Sequence, residues 1–253
     1  MSTASSARPT HVEVEYPDSD GLPMADNTLQ FDWIMKIAGN LRAMYVDDPD
    51  VFVGGDLLWY PVEGDPKTCT APDAMVVFGR PKKDYRGSYK QWVEGGIAPQ
   101  VVFEVLSPSN TPAEMVRKRG FYDRFGVQEY YVYDPDNVEL SGWVRGPRGL
   151  DAIARPDGWV SPLLGIRFAR REEEFWIFRP DGRLFLSYEE IDQESRRFAQ
   201  LAEKSRGVAD LAINQFVAER QRGDAERQRA DAERQRAERL AAKLRELGID
   251  PEA

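Results

Sequence analysis

Histidine and cysteine are nearly missing from this 253-residue chain, which has one of each, His11 and Cys69. A single histidine in a polar N-terminal stretch removes Ser–His–Asp chemistry, Cys–His chemistry and His-rich zinc sites from consideration. A lone cysteine cannot close an intramolecular disulfide and fits a reducing compartment. No apolar run approaches the ~20 residues of a membrane span, and MSTASSARPT lacks the apolar core of a secretory signal. The expectation is a cytoplasmic protein with no membrane partner. Positive charge is also in deficit: 34 Lys and Arg stand against 43 Asp and Glu, for a formal net charge of −9. That argues against coating nucleic acid by bulk electrostatics, though not against local binding of a phosphate backbone. Any metal site must then use oxygen ligands, which favours magnesium or manganese over zinc.

What is present is a pattern of alternating helix and strand signals. Residues 1–25 are polar and punctuated by Pro and Gly, and are expected to be a flexible segment. Trp33, Ile34, Ile37, Leu41, Met44 and Tyr45 recur at three- and four-residue spacing, predicting a helix from Asn27. VFVGGDLLWYP (51–61) reads as one strand with an irregularity at Gly54-Gly55, PDAMVVF (72–78) as a second and VVFEVL (101–106) as a third. Between the last two, 79–96 is a connection with some helix near Trp92. Thr111-Pro112-Ala113-Glu114 has the form of a capping box and starts a helix that Gly126 stops. EYYVYDP (129–135) is a fourth strand. A β-rich extension follows, in which EFWIF and RLFLS are joined by the turn Arg179-Pro180-Asp181-Gly182. The order describes an α/β (α+β) domain over 26–188, a mixed central sheet flanked by helices. From 189 to 253 the chain reads as a charged helix. Ala230, Ala237 and Leu244 share one heptad position, and Leu240 and Leu247 the position three further on. Two readings stay open for it: a coiled coil, or a solvated helix held by Glu–Arg neighbours.

Glu104 is the anomaly, a carboxylate inside an apolar strand, where leaving it unpaired costs several kcal/mol. It shares a strand face with Val102 and Leu106; Asp73 shares one with Met75 and Val77. If the two strands are antiparallel neighbours about 4.8 Å apart, the two acids lie side by side. They then repel each other unless a cation lies between them. On the next helix Glu114, Lys118 and Tyr122 form one stripe, which brings a lysine towards the pair. Each residue also has a plainer reading: Glu104 paired with an arginine, Asp73 as a turn acid, Lys118 in a solvated Arg-Lys-Arg run. Asp56 reads best as a turn acid, with metal ligation as the alternative. The loop 80–90 interleaves Arg80, Lys82, Lys83, Arg86 and Lys90 with Tyr85 and Tyr89. It is either a phosphate- and base-binding loop or a solubilising one.

Pro72-Asp73, Glu104 and Lys118 in this order resemble the PD-(D/E)XK nuclease superfamily. More narrowly, PQVVFEVLSPSN…EMVRKRGFYDRFGVQEYYVYDP resembles the Uma-type restriction endonuclease family, over about residues 27–188. The matching positions are Glu104 to Ser109, Lys118 with Tyr122, Gly126-Val127, Glu129-Tyr130 and Asp134-Pro135. The resemblance implies a restriction-endonuclease-like core and an Mg- (or Mn-) dependent endonuclease acting on DNA. It further implies that Asp73 and Glu104 ligate the metal and that Lys118 assists. Two departures stand out. Leu106 occupies the usual lysine position two residues after the acid, so the resemblance implies that Lys118 serves from the helix. Glu114 stands where the family often has Asp, and its capping role leaves it no catalytic one. The alternative function is a catalytically inactive nuclease-fold protein acting in binding or assembly through its C-terminal helix, by self-association or with a protein partner.

Overall fold

The computed structural model describes residues 14–82 and 85–246, with Leu244 described by its backbone alone. His11, Lys83 and Leu247 lie outside the described residues, as do 1–13 of the N-terminal segment. The elements run α1 (Thr28–Met44), β1 (Val51–Gly54), β2 (Trp59–Tyr60), β3 (Ala74–Phe78), β4 (Tyr89–Lys90), β5 (Val101–Val105), α2 (Pro112–Arg124) and β6 (Glu129–Asp134). They continue with β7 (Glu139–Gly146), β8 (Gly149–Ala152), β9 (Arg167–Arg171), β10 (Glu174–Phe178) and α3 (Tyr188–Glu246).

A six-stranded sheet in the order β1-β3-β5-β6-β7-β8 organises the fold. Only β5 and β6 pair in parallel within it, and α2 is the crossover between them; the other pairs are antiparallel. Such a central strand is covered on both faces, and all five residues of β5 are buried, Glu104 included. One sheet face packs Ala74, Val76, Val101, Phe103 and Val105 against Ile34, Ile37 and Leu41 of α1 and against the β9–β10 hairpin. The other face packs Met75, Val77 and Val102 with Trp59, Tyr89 and Tyr122. Period-2 alternation within a strand thus divides the core into two layers.

The helix ends follow their sequence signals. Asn27 caps α1 by accepting the Gln30 N–H at 2.8 Å, and Thr111 caps α2 by accepting the Glu114 N–H at 3.2 Å. The Glu114 carboxylate takes a 3.4 Å hydrogen bond from the Asn110 amide.

Several expectations are corrected. The stretch 51–61 is two strands in different sheets, β1 pairing with β3 and β2 in parallel with β4. The chain turns between them at Asp56, which sits at φ 47°. No helix forms near Trp92; residues 91–96 are turns. EFWIF pairs with β9 rather than with RLFLS, which is reduced to the bridge between Phe178 and Leu184. A buried Glu129, 1% exposed, explains how the intervening loop is held. It accepts from the Tyr131 hydroxyl at 2.9 Å, the Leu163 N–H at 2.7 Å and the Ser161 hydroxyl.

The chain divides into two compact units after Glu189. The second is the long helix, whose large apolar side chains, including Phe198, Leu201, Val208, Leu211 and Phe216, are exposed. No helix among the described residues is long and apolar enough to cross a membrane.

Candidate active site

Register brings the two acids together. Ala74 faces Phe103 and Met75 faces Val102 across the β3–β5 pair, so continuing by one residue sets Asp73 opposite Glu104. Asp73 lies just before β3, where its Oδ2 accepts the Val105 N–H at 2.6 Å. Gly55 makes room there: a Cβ at that position would come within 3.3 Å of the Asp73 carbonyl oxygen.

Glu104 is 3% exposed and its partners come from α2. Lys118 and Tyr122 stand one turn apart on the helix face that covers β5. The Lys118 ammonium donates to Glu104 Oε2 at 2.8 Å, and the Tyr122 hydroxyl donates to Oε1. Burial and the Glu104 charge push the Tyr122 phenol well above its ordinary range, so it stays protonated as a donor. Arg117 and Arg119 are exposed, Arg119 lying over the Trp143 ring at 5.6 Å, while Lys118 is half-buried. Glu104 therefore pairs with this lysine and not with an arginine.

The electrostatics are those of two acids in partial competition for one base. Burial, and then the Glu104 charge, raise the Asp73 carboxyl well above the ordinary carboxylate range; the Val105 N–H and Lys118 oppose this incompletely. Burial alone would lower Lys118, but Glu104, by charge and by hydrogen bond, holds its ammonium above the usual lysine range, with help from Asp73 and Glu114.

Asp73 and Lys118 line an open cleft of about 430 Å³, together with Asp20, Asp26, Asp56 and Glu114. Burial and then Asp20 raise Asp56, which sits on the same wall. Sequence reasoning passed over two residues that shape this cleft. Gln30 is buried on α1 and donates to the Val105 carbonyl at 2.8 Å, fixing the end of β5. Its one signal was a place four residues before Ile34 on the apolar stripe. Asp26 accepts from Ser107 at 2.7 Å and from Ser109, tying the Ser107-Pro108-Ser109 turn back to the start of α1. The Ser109 bond and then the Ser107 bond lower its carboxyl below the usual range.

A hard divalent ion fits this donor set in a limited way. Among the described residues no group of three or more His, Cys, Asp or Glu side chains is arranged to hold a metal. Two carboxylates suffice for magnesium, which keeps several waters and binds through one or two acids plus substrate phosphate. Each carboxylate oxygen can accept more than one contact, so the bonds from Lys118, Tyr122 and Val105 leave acceptor capacity on both acids.

Tyr122→Phe isolates one of these contacts. Removing the hydroxyl leaves Glu104 with one fewer donor in a buried place and is expected to cost about 1–3 kcal/mol. Urea unfolding of both proteins measures it; equal midpoints would mean that the contact carries no stability.

A mixed α/β domain in which Asp73 and Lys118 line an open cleft and Glu104 is buried behind them is the class of protein in hand. Residues 26–212 match the Uma2 family, described as "Putative restriction endonuclease". The chain belongs to that family. It is similar to a solved structure from Anabaena variabilis described as "a putative nuclease belonging to DUF820". The two are 17% identical with a TM-score of 0.42, over 53% of this chain and 72% of that one. No curated protein matches the chain.

Proposed function

We propose that the protein is a metal-dependent endonuclease that hydrolyses phosphodiester bonds of DNA, with Asp73, Glu104 and Lys118 as its working residues. The observation that carries this reading is the placement of Asp73 opposite Glu104 by the β3–β5 register and on the wall of a cleft open to a substrate, its carboxyl raised by burial and then by the Glu104 charge. Mutual repulsion of that kind is what a divalent ion removes. A magnesium or manganese ion bound to the two acids supplies Lewis-acid activation of water and phosphate.

The chain's own residues do the rest. Val105 N–H holds one Asp73 oxygen and leaves the other for ligation. Tyr122 and Lys118 orient the Glu104 carboxylate from α2. The Lys118 ammonium lines the cleft and stays protonated, so it can offset charge on a phosphate held beside Glu104. Asp20, Asp26 and Asp56 repel an anionic substrate from the rest of the wall, which restricts a phosphate to the neighbourhood of the cation.

Incubating the protein with labelled single- and double-stranded DNA and RNA, with Mg²⁺, Mn²⁺ or EDTA, tests the proposal. Metal-dependent internal cleavage of DNA is the expected result. Absence of cleavage in every combination would leave the second reading, a nuclease-fold assembly protein. The exposed apolar side chains of α3 favour self-association for either reading. Light scattering on the full chain should give at least a dimer mass; a monomer at micromolar concentration would overturn that part.

A further inference from the structure

A second cleft, of about 530 Å³, shares the turn after β1 with the acidic one. Asp56 and Leu58 line the acidic cleft, while Gly55 and Leu57 line the second. Its charge is of the opposite sign. Arg42, Lys82 and Arg86 line it with Phe52 and Tyr85, and no acidic residue does among those described.

These cations are fixed in place but keep donors unspent. Arg42 gives its Nε to the Val53 carbonyl at 3.3 Å, and its two terminal nitrogens have no hydrogen bond among the described residues. Lys82 gives two protons to the carbonyls of Tyr45 and Val46 at the end of α1, leaving a third. Arg86 lies over the Phe52 ring at 4.0 Å. Its Nε binds buried Glu94 at 3.0 Å and its Nη2 the Pro81 carbonyl at 2.8 Å. Arg86 Nη1 is buried and has no acceptor among the described residues. The Arg86 side chain is only 4% exposed and its charge is met by Glu94, so it backs the wall of the cleft, and the open donors are those of Arg42 and Lys82. Tyr85, on the same cleft, is 78% exposed.

We infer that this cleft binds the backbone of a single-stranded nucleic acid, its phosphates on Arg42 and Lys82 and one base stacked on Tyr85, with Arg86 buried behind them. Basic side chains that follow a backbone, with an exposed aromatic ring between them, are the means by which unpaired strands are held. The inference rests on the nuclease reading, since it supplies a subsite flanking the proposed reaction centre. The loop 80–90 is then neither a solubilising loop nor wholly a binding one. Arg80 and Arg86 are tied to Glu94, and Tyr89 is core.

The test is fluorescence anisotropy of a labelled single-stranded oligonucleotide with the full-length protein in EDTA, at several salt concentrations. Arg42→Gln should weaken binding and flatten the slope of log K against log salt by about 0.7, the value for one lost phosphate contact on a single strand. Tyr85→Ala removes an exposed ring without touching the core and should weaken binding about tenfold. Arg148→Gln, an exposed arginine outside the cleft, should change neither affinity nor slope. Unchanged affinity and slope in both cleft variants would overturn the inference. So would full displacement of the strand by millimolar inorganic phosphate, which would assign the cleft to a free anion. Binding in EDTA is read apart from cleavage. A protein that binds through these residues but never cleaves would sink the nuclease reading alone, and one that cleaves with both variants binding normally would sink only this subsite.

Discussion

Glu104→Gln is expected to destabilise the protein by about 2–4 kcal/mol, measured by urea unfolding in EDTA. Two opposing effects are present at this residue. Replacing the carboxylate relieves its repulsion of Asp73, which by itself favours the variant. It also removes the anion bound by Lys118 at 2.8 Å and by the Tyr122 hydroxyl. The second effect is larger, because breaking a buried ion pair by deleting one member costs about 3–5 kcal/mol. The Lys118 side chain is 22% exposed, so water recovers part of that cost. A glutamine amide also offers one acceptor where the carboxylate offered two, and Tyr122 must turn to accept from the new N–H. Equal or greater stability in the variant would mean that acid–acid repulsion dominates and that the Lys118 pair is weak.

Asp73→Asn is expected to behave in the opposite way: DNA cleavage falls by about 10²-fold or more, while the fold is kept. Asparagine retains an oxygen for the Val105 N–H, now held at 2.6 Å, and loses the charge that Glu104 repels. The pH dependence separates charge from shape. Burial, then Glu104, lift the native Asp73 carboxyl well above its ordinary 3.8, so the native state binds this proton more tightly than the unfolded chain does. The resulting stability is fully present below about pH 3.8 and is lost as pH rises through the native value. In chelator, wild type should therefore lose stability relative to Asp73→Asn as pH rises from 4 towards neutrality. Parallel stability–pH curves for the two proteins would contradict the shift.

Much of the fold was legible because its signals are local. The α1 stripe of Ile34, Ile37 and Leu41, the Thr111 cap and the alternation in β3 and β5 each need only a few neighbouring residues. Where pairing depends on distant partners, local reading failed. Residues 51–61 look like one apolar strand, but Gly54-Gly55 and the left-handed Asp56 let the chain leave one sheet and enter another. The turn Arg179-Pro180-Asp181-Gly182 does form, with Gly182 N–H donating to the Arg179 carbonyl at 2.9 Å. EFWIF is nevertheless drawn to β9, where Phe168 and Phe175 join the core. Within the site, Glu104 announced itself as a charge among Val and Phe, and Lys118 by its place on a stripe with Tyr122. Gln30 and Asp26 carried no comparable signal. A polar residue that serves a backbone 75 positions away, as Gln30 serves Val105, looks in sequence like any other.

The central claim is that Asp73 and Glu104 together hold a divalent ion. It is tested most directly by following the melting temperature during a Mn²⁺ titration of wild type and Asp73→Asn. An ion that binds only the native state raises stability with its concentration. The wild-type melting temperature should climb and saturate at millimolar Mn²⁺ or below, and that of the variant should stay flat. A flat wild-type curve, or an equal rise in both proteins, would contradict the claim.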